Sequence, residues 1–404
     1  MTMTMKIKQK RILYESIIVF AASLRISALN LNNYVMVMVR MVLIGLFILP
    51  QIKRRRFSKD FLVFLGWFGI ITVSTILNRK SLYSLVEAFS SIFLISLFYM
   101  YIRDENQKIR ALSVWAGLLF LLCVVDGITM ILYPHGMRTT SYYQLTWFLG
   151  YKTARMVYIL PMVVLFPYLS YVKNGHVLKR DFGVIIFCIL LSIKAEATAA
   201  TAVLVMYVAL LLLLMIKHSN AKWERRIYRL FDPLILSITY GTLFSIVTII
   251  QTNQYVLYVV QNIFGKSSDL SHRTLIWGEC FRYFNQRKLI GCGYLSAADY
   301  VNITNFRLGT SAHSMILSIL VTCGVIGLIY YMFMFFWFIN NRTHKYEKHQ
   351  VIAIFGILSA MMIGLISSTL IFSAFSFLLF QLVNSSCNRL KAGSGTIKDR
   401  KEFL

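Results

Sequence analysis

The sequence predicts an all-α, polytopic membrane protein with about twelve transmembrane helices and one large outer loop late in the chain. Three observations predict it. Of 404 residues, 58% are apolar and only 14% charged, with a mean hydropathy of +0.66, whereas a soluble domain carries roughly 25% charged residues. Apolar runs of about 18 residues or more recur along the chain, each long enough to cross a hydrocarbon core of roughly 30 Å. The 42 lysines and arginines fall in short clusters between these runs. That is how the positive-inside rule arranges cytoplasmic loops. A nucleic-acid binder would gather them on one face, so the net charge of +26 does not signal one. A soluble enzyme, a disordered chain and a disulfide scaffold are excluded.

Taken in order, spans are expected at residues 12–30, 33–50, 61–78, 83–101, 111–132, 154–171, 182–194, 198–216, 233–252, 313–339, 351–367 and 369–384. The first helix is read as uncleaved, because no processing site follows its apolar stretch. Basic clusters then fall on one side: Lys6 to Arg11, Lys53 to Lys59, Arg103 to Arg110, Lys173 to Arg180, Lys217 to Arg229, Arg342 to Lys348 and Arg389 to Lys401. Both termini are therefore expected in the cytoplasm. Residues 351–384 read better as two short helices meeting near Ser367-Ser368 than as one. A single helix of that length would reach roughly 50 Å, well beyond a bilayer. Four regions result: helices one to nine in 1–251, an extracytoplasmic loop with an amphipathic helix in 252–312, helices ten to twelve in 313–384, and a cytoplasmic tail in 385–404. No internal repeat is visible, which counts against transporters built from duplicated halves.

Chemistry is expected in the outer loop. Ile276, Trp277, Cys280, Phe281 and Phe284 recur at helical spacing and make one apolar stripe. Arg273, four residues before Trp277, shares that stripe, while Glu279 and Arg282 point the other way. Such a helix lies along the membrane interface. An arginine on its apolar face either snorkels to headgroups or holds an anion, and the guanidinium fork suits phosphate. Gly291-Cys292-Gly293 suggests a sharp turn or close backbone approach. His313 opens the tenth span and could deprotonate a sugar hydroxyl; Asp269, Glu279 and Asp299 are the alternative bases. Gly324 and Gly327 permit close helix packing. Intramembrane charges (Arg25, Arg40, Glu87, Asp126, Lys152, Arg155, Lys194 and Glu196) are costly unless paired or hydrated. Lys152 and Arg155 could share one anion, with Asp126 and Glu196 as their alternative partners. The six cysteines form no CxxC pair and no His-Cys cluster, so no zinc or redox site is expected. No Walker motif occurs.

The order of an Arg-x3-Trp helix, Gly-x-Gly, and a histidine heading a span that ends Gly-x-x-Gly-Leu, here Arg273 to Leu328, resembles the O-antigen ligase/polymerase-like family. Gram-positive capsular polysaccharide polymerases are similar. Ser74-Thr75-Ile76-Leu77-Asn78 and Phe148-Leu149-Gly150 are weaker echoes. The resemblance implies a class C glycosyltransferase-like fold and a polysaccharide polymerase in the bacterial cell membrane. It would join oligosaccharide units carried on undecaprenyl pyrophosphate at the outer face, without metal, nucleotide or other cofactor. A ligase passing glycan to another acceptor, or a lipid-linked oligosaccharide flippase, is the alternative. Implied partners are the lipid-linked oligosaccharide, a chain-length regulator and a flippase, with no nucleic acid. The family's pyrophosphate-binding arginine maps onto Arg273 and its histidine onto His313; a second arginine near the sixth span has Arg155 or Lys152 as its nearest match. Ser314 stands where the family usually has Asn. The expected catalytic set is thus His313, Arg273 and Glu279, with Arg273, Arg155, Lys152 and Arg282 gripping pyrophosphate.

Overall fold

A computed structural model of the chain describes residues 3–24, 32–53, 57–139, 145–216, 232–252, 273–307, 309–339, 347–368 and 373–383. Among them the chain is helical apart from one two-residue hairpin. In chain order the helices are α1 (Met3–Ser23), α2 (Asn33–Lys53), α3 (Lys59–Leu77), α4 (Leu82–Tyr101) and α5 (Glu105–Leu132). The hairpin of β1 (Arg138–Thr139) and β2 (Leu145–Thr146) follows. Then come α6 (Met156–Asn174), α7 (Lys179–Lys194), α8 (Thr198–Met215), α9 (Pro233–Thr252), α10 (Arg273–Gln286), α11 (Ala297–Thr304), α12 (Met315–Ile339), α13 (Lys348–Gly364) and α14 (Ala374–Val383).

Every expected span is met by a helix at its position. Helices α2, α3, α4, α5, α6, α8 and α12 are each long and apolar enough to cross a membrane. The two-helix reading of 351–384 matches α13 and α14, which pack against each other as separate helices. Several boundaries differ, α5 for example starting at Glu105 rather than near 111, and three of the differences are instructive. Helix α1 begins at Met3 rather than near residue 12, so it carries the first basic cluster within it. Helix α7 starts at Lys179, because the Asp181 carboxylate accepts the Leu178 N–H at 2.8 Å and the Ser170 hydroxyl at 3.0 Å. Helix α12 starts at Met315, not His313, because His313 takes a left-handed φ of 48° that ends helical geometry. The basic residues Arg54 to Arg56, Lys217 to Arg229, Arg342 and Lys345, together with Arg25 and the tail at 385–404, lie outside the described residues.

Polar caps start several helices. Ser58 Oγ accepts from Phe61 N at 3.1 Å for α3, and Asp104 from Gln107 N at 3.1 Å for α5. Helix α2 shows how the bundle meets lipid. Val35, Met38, Val42, Leu46 and Leu49 form an exposed apolar stripe, while Val37, Arg40, Ile44, Phe47 and Gln51 face inward. Exposed apolar faces of this kind are stable only against lipid. Helices α6 and α13 are buried along most of their length at the centre, and α5, α7, α8 and α14 pack around them. Residues 78–81, 133–139, 145–155, 195–197, 287–307, 309–314, 365–368 and 373 gather at one end of the bundle, tied by contacts described below. This loop-rich end carries the candidate site.

Candidate active site

The Gly-x-Gly segment of the sequence is a strap threaded through a break in α12. Gly324 has φ 67° and ψ −162°, a conformation open essentially to glycine alone. There α12 gives up its own ladder and bonds the strap instead. Val325 N donates to Lys288 O at 2.9 Å, Ile326 N to Leu289 O at 3.1 Å, Cys292 N to Val321 O at 2.7 Å and Gly293 N to Thr322 O at 2.9 Å. The end of α3 closes the joint. Ser74 Oγ donates to Ile290 O at 2.6 Å, Asn78 Nδ2 to Gly291 O at 3.1 Å, and Thr75 Oγ1 accepts from Tyr294 N at 3.0 Å. A Cβ on Gly291 would sit 2.5 Å from the Cys323 amide nitrogen, and one on Gly324 would strike the Leu289 carbonyl oxygen. Gly324 was expected to serve helix packing, but its conformation is what the chain requires. Ser74 to Asn78, a faint motif in the sequence, grips the strap.

Above this joint lies a second small core. Ile276, Trp277 and Cys280 of α10 pack with Ala312, Leu317 and Val321 around α12, and with Leu295 and Tyr300. The expected amphipathic helix over 273–286 is therefore present, but its apolar stripe lies on protein rather than lying free on the membrane. Ala312 precedes His313 directly, and Arg273 lies one helical turn before Trp277, so each residue adjoins a member of this core. Arg273 is half-buried, and burial pulls its pKa below the ordinary arginine value. Among the described residues it has no ion-pair or hydrogen-bond partner. His313 is also half-buried, and its left-handed backbone is locked by the Ser311 hydroxyl accepting from its N–H at 3.3 Å. Glu279 and Arg282 pair with one another at 2.6 Å on the outward face. Burial pushes the Cys280 thiol up to about 12 and raises that of Cys292, and neither is in a disulfide. Among the described residues no cluster of His, Cys, Asp and Glu could hold a metal. His272 and Asp269 lie outside the described residues.

Asp299 closes a capping box with Ser296 at the head of α11 and also accepts from Lys80 Nζ at 3.0 Å. The sequence reading of the site missed Lys80, though it stands two residues after the Ser74 to Asn78 motif. The two cations near the sixth span each have a carboxylate. Lys152 Nζ lies 2.8 Å from Glu196 at the exposed end of α7. Arg155 is wholly buried, donating to Asp126 at 2.8 Å and to Leu191 O at 3.1 Å under the ring of Trp147. Asp126 also accepts from Leu149 N at 2.8 Å. Arg155 thus pins the segment before α6 to α5 and α7, and its guanidinium is sealed from any outside anion. Pairing with Asp126 and Glu196, the alternative to a shared anion, is what the structure contains.

A cavity of about 530 Å³ opens at the same end, between α1, α2, α4, α5 and the segments before α6 and after α13. Arg40 and Glu87 line it, and Tyr294 joins it to the strap.

This arrangement defines an integral membrane protein whose strapped layer carries a half-buried cation on α10 and a histidine just before α12. The segment that builds the layer is similar to the O-antigen ligase family, which residues 182–332 match. No curated protein and no solved structure matches the chain.

Proposed function

We propose that the protein is a polysaccharide polymerase: a glycosyltransferase that joins oligosaccharide units carried on undecaprenyl pyrophosphate at the outer face of the bacterial cell membrane. The observation that carries this reading is the half-buried Arg273, unclaimed by a partner among the described residues, on a helix that packs against Ala312, the neighbour of His313, within the matched segment. Sidedness is read from the sequence: under the positive-inside rule the basic clusters between the spans mark the cytoplasmic side, on which both termini would lie, with the site on the other. Of the remaining finer readings, twelve crossings follow from the apolar runs of the sequence and a class C glycosyltransferase-like fold from the family likeness.

The chemistry asks for two groups. A hydroxyl of the acceptor attacks the anomeric carbon, the bond from that carbon to the pyrophosphate oxygen breaks, and charge grows on the departing lipid pyrophosphate. Arg273 is suited to meet that charge because it is held in place, half-desolvated and unclaimed by any carboxylate among the described residues. A preorganised donor of this kind is worth about 3–4 kcal/mol in the barrier. His313 takes the proton from the attacking hydroxyl. Glu279 and Asp299 suit that role less, because ion pairs with Arg282 and Lys80 occupy their carboxylates. Lys152 and Arg282 serve the reading as cations at the entrance, and Arg155 as the residue that holds the wall. A flippase and a chain-length regulator are its expected partners.

The decisive test is Arg273→Ala in living cells. The polymer should disappear while the variant accumulates in the membrane at the wild-type level; polymer of normal length would refute the proposal. Deleting the protein should leave single repeat units on the lipid. Long lipid-linked chains would instead mark a ligase, the function the matched family is named for.

A further inference from the structure

The strap lies at one edge of the membrane, and two helices fix its level. Near the end of α12 the Trp337 indole N–H donates to Asp60, at the start of α3, at 2.9 Å, so those two helix ends share one level. From there the 19 residues of α3 rise roughly 28 Å at 1.5 Å each, close to the roughly 30 Å of a hydrocarbon core. Ser74 and Asn78, which hold the strap, therefore sit at the opposite boundary. The strap's carbonyls are all bonded, as this place demands, because an unbonded polar group facing lipid is costly. The carbonyl of Arg287 accepts from Gly291 N at 2.9 Å, and those of Lys288 and Leu289 accept from Val325 and Ile326 of α12. Those of Ile290 and Gly291 accept from the side chains of Ser74 and Asn78.

The side chains around the strap are of two kinds. Leu289 is 67% exposed, and Ile326, whose N–H bonds its carbonyl, is exposed too, as are Ile76 and Leu77 just before Asn78. Arg287, Lys288 and Arg79 are exposed cations on the same two loops. None of the three has a carboxylate partner among the described residues, and the Asp299 carboxylate is taken by Lys80. An apolar surface that runs into uncompensated cations fits a molecule with acyl chains on one side and a phosphate on the other. The guanidinium fork suits that phosphate. A free glycan or a soluble anion would leave Leu289 and its neighbours without an apolar partner.

We infer that this face of the strap binds an anionic phospholipid of the surrounding leaflet, of the phosphatidylglycerol type, and that the bound headgroup braces the strap in the break of α12. This face is separate from Arg273, which is half-buried on α10, and its binding of phospholipid does not depend on the transferase reading. The test is amide hydrogen exchange, read by mass spectrometry on the full-length protein in nanodiscs of phosphatidylcholine with and without phosphatidylglycerol. Phosphatidylglycerol should slow exchange in residues 287–293 and 323–326 about fivefold or more, the factor that one basic residue contributes at an anionic surface. The buried helices α6 and α13 should exchange alike in both membranes. Arg287→Gln/Lys288→Gln should remove the protection, while Arg287→Lys/Lys288→Arg, which keeps both charges, should retain it. Exchange in α6 and α13 reports the folding of each variant; where the glutamine pair disturbs them, Lys288→Gln alone decides, with a smaller loss. Equal strap exchange in the two membranes overturns the inference, as does protection that survives in the glutamine variants. So does the same protection produced in phosphatidylcholine by undecaprenyl pyrophosphate without glycan, because the face would then belong to the carrier lipid.

Discussion

Replacing Asp126 by leucine should be among the most destabilising single changes available in this protein. Both side chains of the Asp126–Arg155 pair are wholly inaccessible to solvent. Without the carboxylate, Arg155 keeps Leu191 O at 3.1 Å and the Trp147 ring at 5.6 Å, neither of which carries a full negative charge. The Leu149 N–H, which Asp126 accepts at 2.8 Å, is orphaned in the same step. Breaking a buried pair by removing one partner costs about 3–5 kcal/mol, of which an orphaned amide accounts for about 1–3 kcal/mol. Arg155→Met should cost a similar amount, because it strands the carboxylate instead. The double variant Asp126→Leu/Arg155→Met should recover much of the loss, since no uncompensated charge remains. The assay is thermal stability of the detergent-extracted protein by size-exclusion chromatography. If either single variant melts with wild type, or the double loses the sum of the two, the buried-pair argument is wrong.

Gly324→Ala should disable the protein. A side chain there requires an unfavourable backbone worth about 1–3 kcal/mol and displaces the strap, so membrane levels or chain extension should fall sharply; a fully active alanine variant would refute the lock. His313→Ala should lower transfer rate by about 10²- to 10⁴-fold, whereas Glu279→Gln should leave it within severalfold; the reverse ranking, read from initial rates on lipid-linked substrate, would make Glu279 the base. The Lys80–Asp299 pair makes stability depend on pH. Burial alone would raise the Asp299 pKa, but hydrogen bonds from Ser296 and Lys80 outweigh it and hold it low. Burial alone would lower that of Lys80, but the bond to Asp299 and neighbouring groups outweigh it and hold it high. Asp299 therefore contributes fully above the unfolded aspartate's pKa and loses this contribution as pH falls through its depressed folded value. Lys80 loses its own as pH rises through its raised value. Lys80→Met should melt below wild type at neutral pH, by about 1 kcal/mol for a partly buried pair, and the two curves should converge in acid. A gap that persists there would show that the ion pair is not its cause.

The helices were legible because lipid imposes a one-dimensional rule. A stretch either is long and apolar enough to satisfy its backbone within itself or it cannot cross, and that is written locally. The split of 351–384 into two helices followed from length alone. The stripe that joins Arg273 to Trp277 was likewise local, a matter of 3.6-residue periodicity. What the sequence could not state was which distant groups would share a site. Arg155 and Lys152 look alike as cations three residues apart, yet one is buried against Asp126, 29 residues back, and the other lies at the surface beside Glu196. Gly324 looks like a packing glycine until the strap from 288–293 occupies the break in α12. Sequence determined the elements because their stability is set by neighbours along the chain. Tertiary structure alone decided the partners, because the ion pairs and the strap are closed by residues up to 248 positions apart and the cavity is lined from Ser23 to Phe375, and no local pattern encodes such distances.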